Sequence, residues 1–209
     1  MDTYNEQKVQ PPRLDGQWLE QIRGQARETL QQLDPPGRRE EAWRFTDLEQ
    51  FRLERYRDKV RGPGPLPSAT QRGEARALDS GVIPAGYALA LNGQQAELSL
   101  GKEAKGSGVI LTSLSQAIAD YPELVRQRLG SLLPAGDYYG AASLAEYRDG
   151  VFLFVPEGVE LTDPILSINW LASDGGLIST RNLVIVERGA SLVLDELHLS
   201  ATLSHPTLG

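Results

Sequence analysis

The chain has 209 residues, a formal net charge of −7 and no cysteine. This length suits one large domain or two small ones, and the lack of cysteine excludes disulfides, thiolate metal sites and cysteine nucleophiles. Residues 1–80 carry 14 basic and 14 acidic side chains, whereas residues 81–209 carry 7 and 14, so the second part repels nucleic acid rather than collecting it.

The N-terminus, Met1-Asp2-Thr3-Tyr4-Asn5-Glu6, has neither the basic start nor the apolar block of a secretory signal. No run approaches the roughly eighteen apolar residues that a membrane span requires. These features lead to the expectation of a cytoplasmic protein with neither a membrane nor a nucleic-acid partner. Residues 1–13 read as a frayed arm ending in Pro11-Pro12. From Leu14 to Leu33 the spacing of Trp18, Ile22, Ala26 and Leu30, with Leu19 and Leu33 beside them, predicts an amphipathic helix with its charges outward. Asp34-Pro35-Pro36-Gly37 ends it. A second helical stretch is expected near Arg38. Thr46-Asp47-Leu48-Glu49 has capping-box spacing, which predicts a helix running toward Val60. The charges of Arg52–Lys59 are mixed with Glu54 and Asp58 and read as a solvated face. Gly62-Pro63-Gly64-Pro65-Leu66-Pro67 is a linker.

Beyond Val82 the periodicity changes. Tyr87–Leu91 and Ala96–Leu100 flank Asn92-Gly93, a type I′ turn signal, and predict a hairpin. Gly101–Gly108 lacks the order of a phosphate-binding loop and reads as a plain loop. Val109–Leu111 is a short strand. Ser113-Leu114-Ser115-Gln116 caps a helix over Ser115–Asp120, and the two serines serve as caps rather than nucleophiles. Pro122 opens a further helix over Glu123–Leu129, closed by Gly130. A short helix is expected near Ala141–Glu146.

From Gly150 onward the chain reads as strands and turns, and it repeats. Phe152–Leu161 aligns with Leu183–Leu192 at an offset of 31 residues (189 − 158). Each copy is an apolar run, a glycine turn and a second apolar run. This pattern predicts the first coils of a stacked right-handed parallel β-helix, each coil burying its face on the next. The expected fold class is therefore α+β: residues 1–80 a helical region and linker, 81–149 a mixed strand and helix segment, and 150–209 the start of a β-helix. The pattern stops mid-course, which makes the chain read as the front part of a longer protein that self-associates through its open end.

The chemistry visible in the sequence is sparse. A soft-metal site needs convergent thiolates or imidazoles, and the histidines are His198 and His205. They read as a strand side chain and a tail residue. Asp195 and Glu196 alternate across a strand, and Glu157 and Glu160 flank a turn. No catalytic, cofactor-binding or metal-ligating residue is assigned. Among the tryptophans, Trp18 is expected in the core, Trp43 in the core or at a partner's surface, and Trp170 stays open.

Several segments resemble one family. Glu41-Ala42-Trp43-Arg44-Phe45-Thr46 is similar to the Glu-x-Trp-basic-aromatic-Thr signature near the start of SufD proteins. Gly108–Leu114, followed by Tyr121-Pro122-Glu123-Leu124-Val125, is similar to the family's strand-then-helix segment. Asp149–Val159, followed by Asp163-Pro164-Ile165, and Arg181–Val186 resemble its first β-helix coils. The SufB relative shares the later segments, and the Glu-x-Trp segment leans toward SufD. The resemblance implies a non-catalytic scaffold subunit of a SufBCD-type iron–sulfur cluster assembly complex, with SufB-type and SufC-type (ATPase) partners and no cofactor in this part of the chain. Alternatives from the residues alone are a β-helix enzyme acting on carbohydrate and a purely structural solenoid.

Overall fold

A computed structural model of the chain describes residues 7–8 (backbone only), 17–56, 67, 83–173 and 175–203. In chain order its regular elements are β1 (Gln7–Lys8), α1 (Gln17–Gln32), β2 (Gly86–Leu91), β3 (Gln94–Leu100), α2 (Lys102–Gly106), β4 (Ile110–Ser113), α3 (Leu114–Asp120), α4 (Pro122–Arg126), α5 (Tyr138–Glu146), β5 (Val151–Val155), β6 (Ile165–Leu171), β7 (Leu183–Val186) and β8 (Leu194–Ser200).

The strands form two mixed sheets, ordered β1-β3-β2-β6-β8 and β4-β5-β7. β3 pairs antiparallel with both β1 and β2, while β2 with β6 and β6 with β8 are parallel. In the smaller sheet β4 pairs antiparallel with β5, and β5 pairs parallel with β7. The α+β class holds, and the right-handed parallel β-helix does not. Such a stack is made of parallel ladders throughout, whereas here a tight hairpin and β4 introduce antiparallel partners in both sheets. What the 31-residue repeat marks is a parallel pairing, with Phe152 opposite Leu183 and Val155 opposite Val186.

The hairpin forms as its turn signal requires. Asn92 (φ 48°) and Gly93 (φ 79°) both take positive φ, the combination that matches strand twist in a two-residue turn. The Asn92 side chain also accepts from the amides of Ala172 (2.8 Å) and Ser173 (3.0 Å), tying the turn to the end of β6.

β5 explains why its sequence is unbroken apolar. Phe152 faces the helices, packing with Leu19 and Ala26 of α1, Leu114 and Ile118 of α3, and Val125 of α4. Val151, Leu153 and Val155 face the opposite sheet, against Ala88, Leu98 and Ile165. A strand buried on both faces loses the polar alternation of a half-exposed one.

The helices depart from expectation in three places. On α1 the buried line is Leu19, Arg23, Ala26 and Leu30, with Trp18 and Ile22 half-buried beside it. Arg23 was thus expected outward and lies inside. Between Arg38 and Tyr56 there are only single 3-10 turns, at Glu41–Trp43, Glu49–Phe51 and Leu53–Arg55. The expected capping box fails because the Glu49 amide donates to the Asp47 carboxylate (3.2 Å), a local bond that competes with helix formation, and the Glu49 carboxylate is taken by Arg52. The remainder of that expected helix, residues 57–60, lies outside the described residues. Gly101–Gly108, read as a loop, contains α2. By contrast Ser113 caps α3 by accepting from the Gln116 amide (3.0 Å). Pro122 opens α4, and Asp137 caps α5 by accepting from the Gly140 amide (2.7 Å).

Candidate interaction surface

The most distinctive exposed feature is a sheet edge. β8 is the last strand of the larger sheet, and among the described residues nothing pairs with its outer side. Its phase is set by its inner bonds. Ile165 N–H donates to Val193 C=O, and Ala201 N–H donates to Leu171 C=O. In a parallel ladder the backbone groups of alternate residues point to opposite sides. Residues 193, 195, 197, 199 and 201 therefore turn toward β6, and Leu194, Glu196, His198 and Ser200 direct their N–H and C=O groups outward. On one face of β8, Leu197, Leu199 and Ala201 pack against a cluster that includes Leu89, Ile168 and Trp170. On the other, Leu194 enters the space between the sheets. On the same face but exposed, Glu196 accepts from the side-chain amides of Asn169 (3.1 Å) and Asn182 (2.8 Å) and lies 3.7 Å from His198 Nε2. The neighbouring β7 exposes Val184 and Val186.

A second surface is an open apolar groove of about 410 Å³ between the 3-10 turns, α5 and the segment before β7. It is lined by Trp43, Phe51 and Leu53 of the segment with the 3-10 turns, Tyr139 and Ala142 of α5, and Ile178. Trp43 and Tyr139 meet as a tilted pair with ring centroids 5.6 Å apart.

Beneath these surfaces, three buried charges clamp the helices to the sheets. Asp149 accepts from both the amide and the hydroxyl of Ser115 (3.0 Å each). Burial pushes its carboxyl above the ordinary value, against the opposing pull of amides at Ser115, Gly150 and Gln95. Arg181 donates to the Leu133 carbonyl and to the Ser143 hydroxyl, and burial lowers its pKa. Arg23 donates to the Tyr147 carbonyl (3.1 Å), and its guanidinium carbon lies 4.4 Å from the centre of the Tyr147 ring.

The other residues singled out from sequence are dispersed. Glu157 pairs with Arg188 at the surface, and Glu160 forms an isolated parallel bridge with Ser191. His205 lies outside the described residues. Trp18 packs at the edge of the helical core, Trp43 lines the groove, and Trp170 is buried on β6. Among the described residues no group of three or more His, Cys, Asp or Glu is placed to hold a metal ion, and no helix is long and apolar enough to cross a membrane. Sequence reasoning missed Arg23, Asp149 and Arg181. Only Asp149 carried a local signal, its position before a glycine at the head of an apolar strand.

The chain's relationships agree with its segment order. Residues 1–166 match the model of the SufBD protein N-terminal region, and the chain belongs to the SufB/SufD family. It is 35% identical over 92 residues to an iron–sulfur cluster assembly SufBD family protein of Pyropia yezoensis, covering 44% of this chain and 19% of that protein. It is also 35% identical over 86 residues to a protein of the same description from Synechocystis sp., covering 41% and 18%. A Staphylococcus epidermidis relative is 30% identical over 92 residues, covering 44% and 20%. The matched stretch thus spans about a fifth of the length of these curated relatives.

Proposed function

We propose that this chain acts as a SufD-type scaffold subunit in iron–sulfur cluster assembly, without catalytic activity of its own, in the cytoplasm. The observation that carries this reading is the family match over residues 1–166. The names of the relatives, iron–sulfur cluster assembly proteins, supply the process. The Glu41–Thr46 segment favours the SufD branch over SufB. Its partners on this reading are a SufB-type subunit and a SufC-type ATPase, with the cluster as cargo. Among the described residues the outer edges of β7 and β8 are unpaired, which supports a binding role because unpaired strand backbone is adhesive. Co-expression of the tagged chain with the SufB-type and SufC-type subunits of its host, followed by size-exclusion chromatography, tests the proposal. Co-elution with at least the SufB-type subunit is expected. Elution of the chain apart from both would refute it.

A further inference from the structure

We propose that the groove beside α5 binds a small organic cation, an ammonium group carried on an apolar body. This inference goes beyond the scaffold reading and does not depend on it. Three aromatic rings line the groove, those of Trp43, Phe51 and Tyr139. The face of such a ring attracts a cation held within about 6 Å of its centre, and tryptophan does so best. Trp43 and Tyr139 are tilted at 59° with centroids 5.6 Å apart, so neither ring stacks flat on the other. Tyr139 is held in turn by an edge-on contact with Tyr138, with centroids 5.3 Å apart, and the Tyr138 hydroxyl donates to Glu54 (3.0 Å). These rings are set before any ligand arrives, which lowers the cost of binding.

Charge selects the ligand. Among the described residues that line the groove, Glu146 at the end of α5 is the one that carries a charge. The basic side chains nearby are engaged elsewhere. Arg44 pairs with Glu41 (3.3 Å) and lies over the Phe45 ring, Arg52 pairs with Glu49 (2.8 Å), and Arg55 donates to the Glu49 carbonyl (2.8 Å). At the Tyr139 phenol the field of Glu54 outweighs that of Arg52. Among the described residues the guanidiniums that lie over rings face Tyr147, Phe45 and Trp18, and none faces the three rings of the groove. The volume of about 410 Å³ is in the range of small-molecule sites. Leu53, Ala142 and Ile178 extend the lining beyond the rings. A bare ammonium would leave these apolar side chains uncovered, and a lysine side chain is too slender to cover them. The fit is to a free amine or quaternary ammonium with an aryl or alkyl body.

The test is isothermal titration calorimetry of the 209-residue chain with benzyltrimethylammonium, against benzyl alcohol as the neutral analogue and phenylacetate as the anionic one. The cation is expected to bind about threefold or more tightly than benzyl alcohol, and phenylacetate to bind more weakly than either. Glu146→Gln keeps the shape of the lining and is expected to weaken the cation about threefold or more while leaving benzyl alcohol within about twofold. Tyr139→Leu keeps an apolar wall and should weaken the cation more than benzyl alcohol. Circular dichroism confirms that each variant is folded. Proton–nitrogen NMR reads the location: the indole N–H of Trp43 should shift on adding the cation, with those of Trp18 and Trp170 as internal controls. Equal affinity for the cation and benzyl alcohol, a cation affinity indifferent to Glu146→Gln, or a Trp43 indole that does not move overturns the proposal. So does a glycyl-trimethyllysyl-glycine peptide that binds more tightly than benzyltrimethylammonium, because it would assign the groove to a protein partner.

Discussion

Removing the Asp149 carboxylate tests whether the buried polar contacts hold the helices to the sheets. Asp149 is 3% exposed and accepts two bonds from Ser115 at the start of α3. Asp149→Ala leaves the Ser115 amide and hydroxyl without that acceptor. An orphaned buried donor costs about 1–3 kcal/mol, so the loss for the two together is about 2–6 kcal/mol, a large share of the stability of a small domain. Asp149→Asn keeps Oδ1 for Ser115 and removes a desolvated charge, but turns an N–H toward the amides of Gly150 and Gln95. It therefore falls between, with a loss of about 1 kcal/mol. Urea unfolding followed by far-UV circular dichroism measures both variants, with an unchanged m-value as the check on two-state behaviour. Asp149→Ala within about 1 kcal/mol of the native chain, or Asp149→Asn as damaging as Asp149→Ala, would refute the reasoning.

The same carboxyl has a pH signature. Burial raises its folded pKa above the ordinary value, so the folded state holds the proton to higher pH than the unfolded chain. Its contribution is greatest below the unfolded pKa and is lost as pH rises through the folded one, and the stability difference between the native chain and Asp149→Asn should fall over that window. Gly150→Ala should be severe, about 3 kcal/mol or more, because a Cβ there would lie 1.9 Å from the Arg181 carbonyl oxygen; thermal unfolding reads this directly. Asn92→Ala loses two buried acceptor bonds and places a non-glycine residue at positive φ without a local hydrogen bond, for about 2–4 kcal/mol, whereas Asn92→Asp keeps the acceptor but buries a charge at a 1%-exposed site, so thermal unfolding should place it between Asn92→Ala and the native chain. Arg181→Met leaves the Leu133 carbonyl and the Ser143 hydroxyl without their donor, and chemical denaturation should show a loss of about 1–3 kcal/mol.

Which parts of this protein were legible in its sequence follows from how far apart the interacting residues lie. The Asn92-Gly93 turn, the Ser113 cap and the Pro122 helix start are local bargains between a side chain and its own backbone, and neighbouring residues suffice to predict them. The 31-residue repeat also predicted a true pairing, because two segments with the same alternation fit one another in parallel. Its extension to a β-helix failed because repeat spacing says nothing about which strands add at the far sides of each sheet. The helix expected from Thr46 failed for a nearer reason, since Asp47 took the bond that the cap needed.

Sequence by itself determined the helical and strand segments with strong local signals, the parallel match between the two copies of the repeat, and the family. Tertiary structure alone decided that the sheets are mixed, that Trp43 faces a groove with Tyr139, and that Arg23, Asp149 and Arg181 lie inside. The reason is physical. A charge is buried only where partners replace its water, and those partners are remote: Ser115 lies 34 residues from Asp149, and Tyr147 lies 124 residues from Arg23. No periodicity along the chain encodes such a meeting, so the charged side chains read as surface until the fold brought their partners to them.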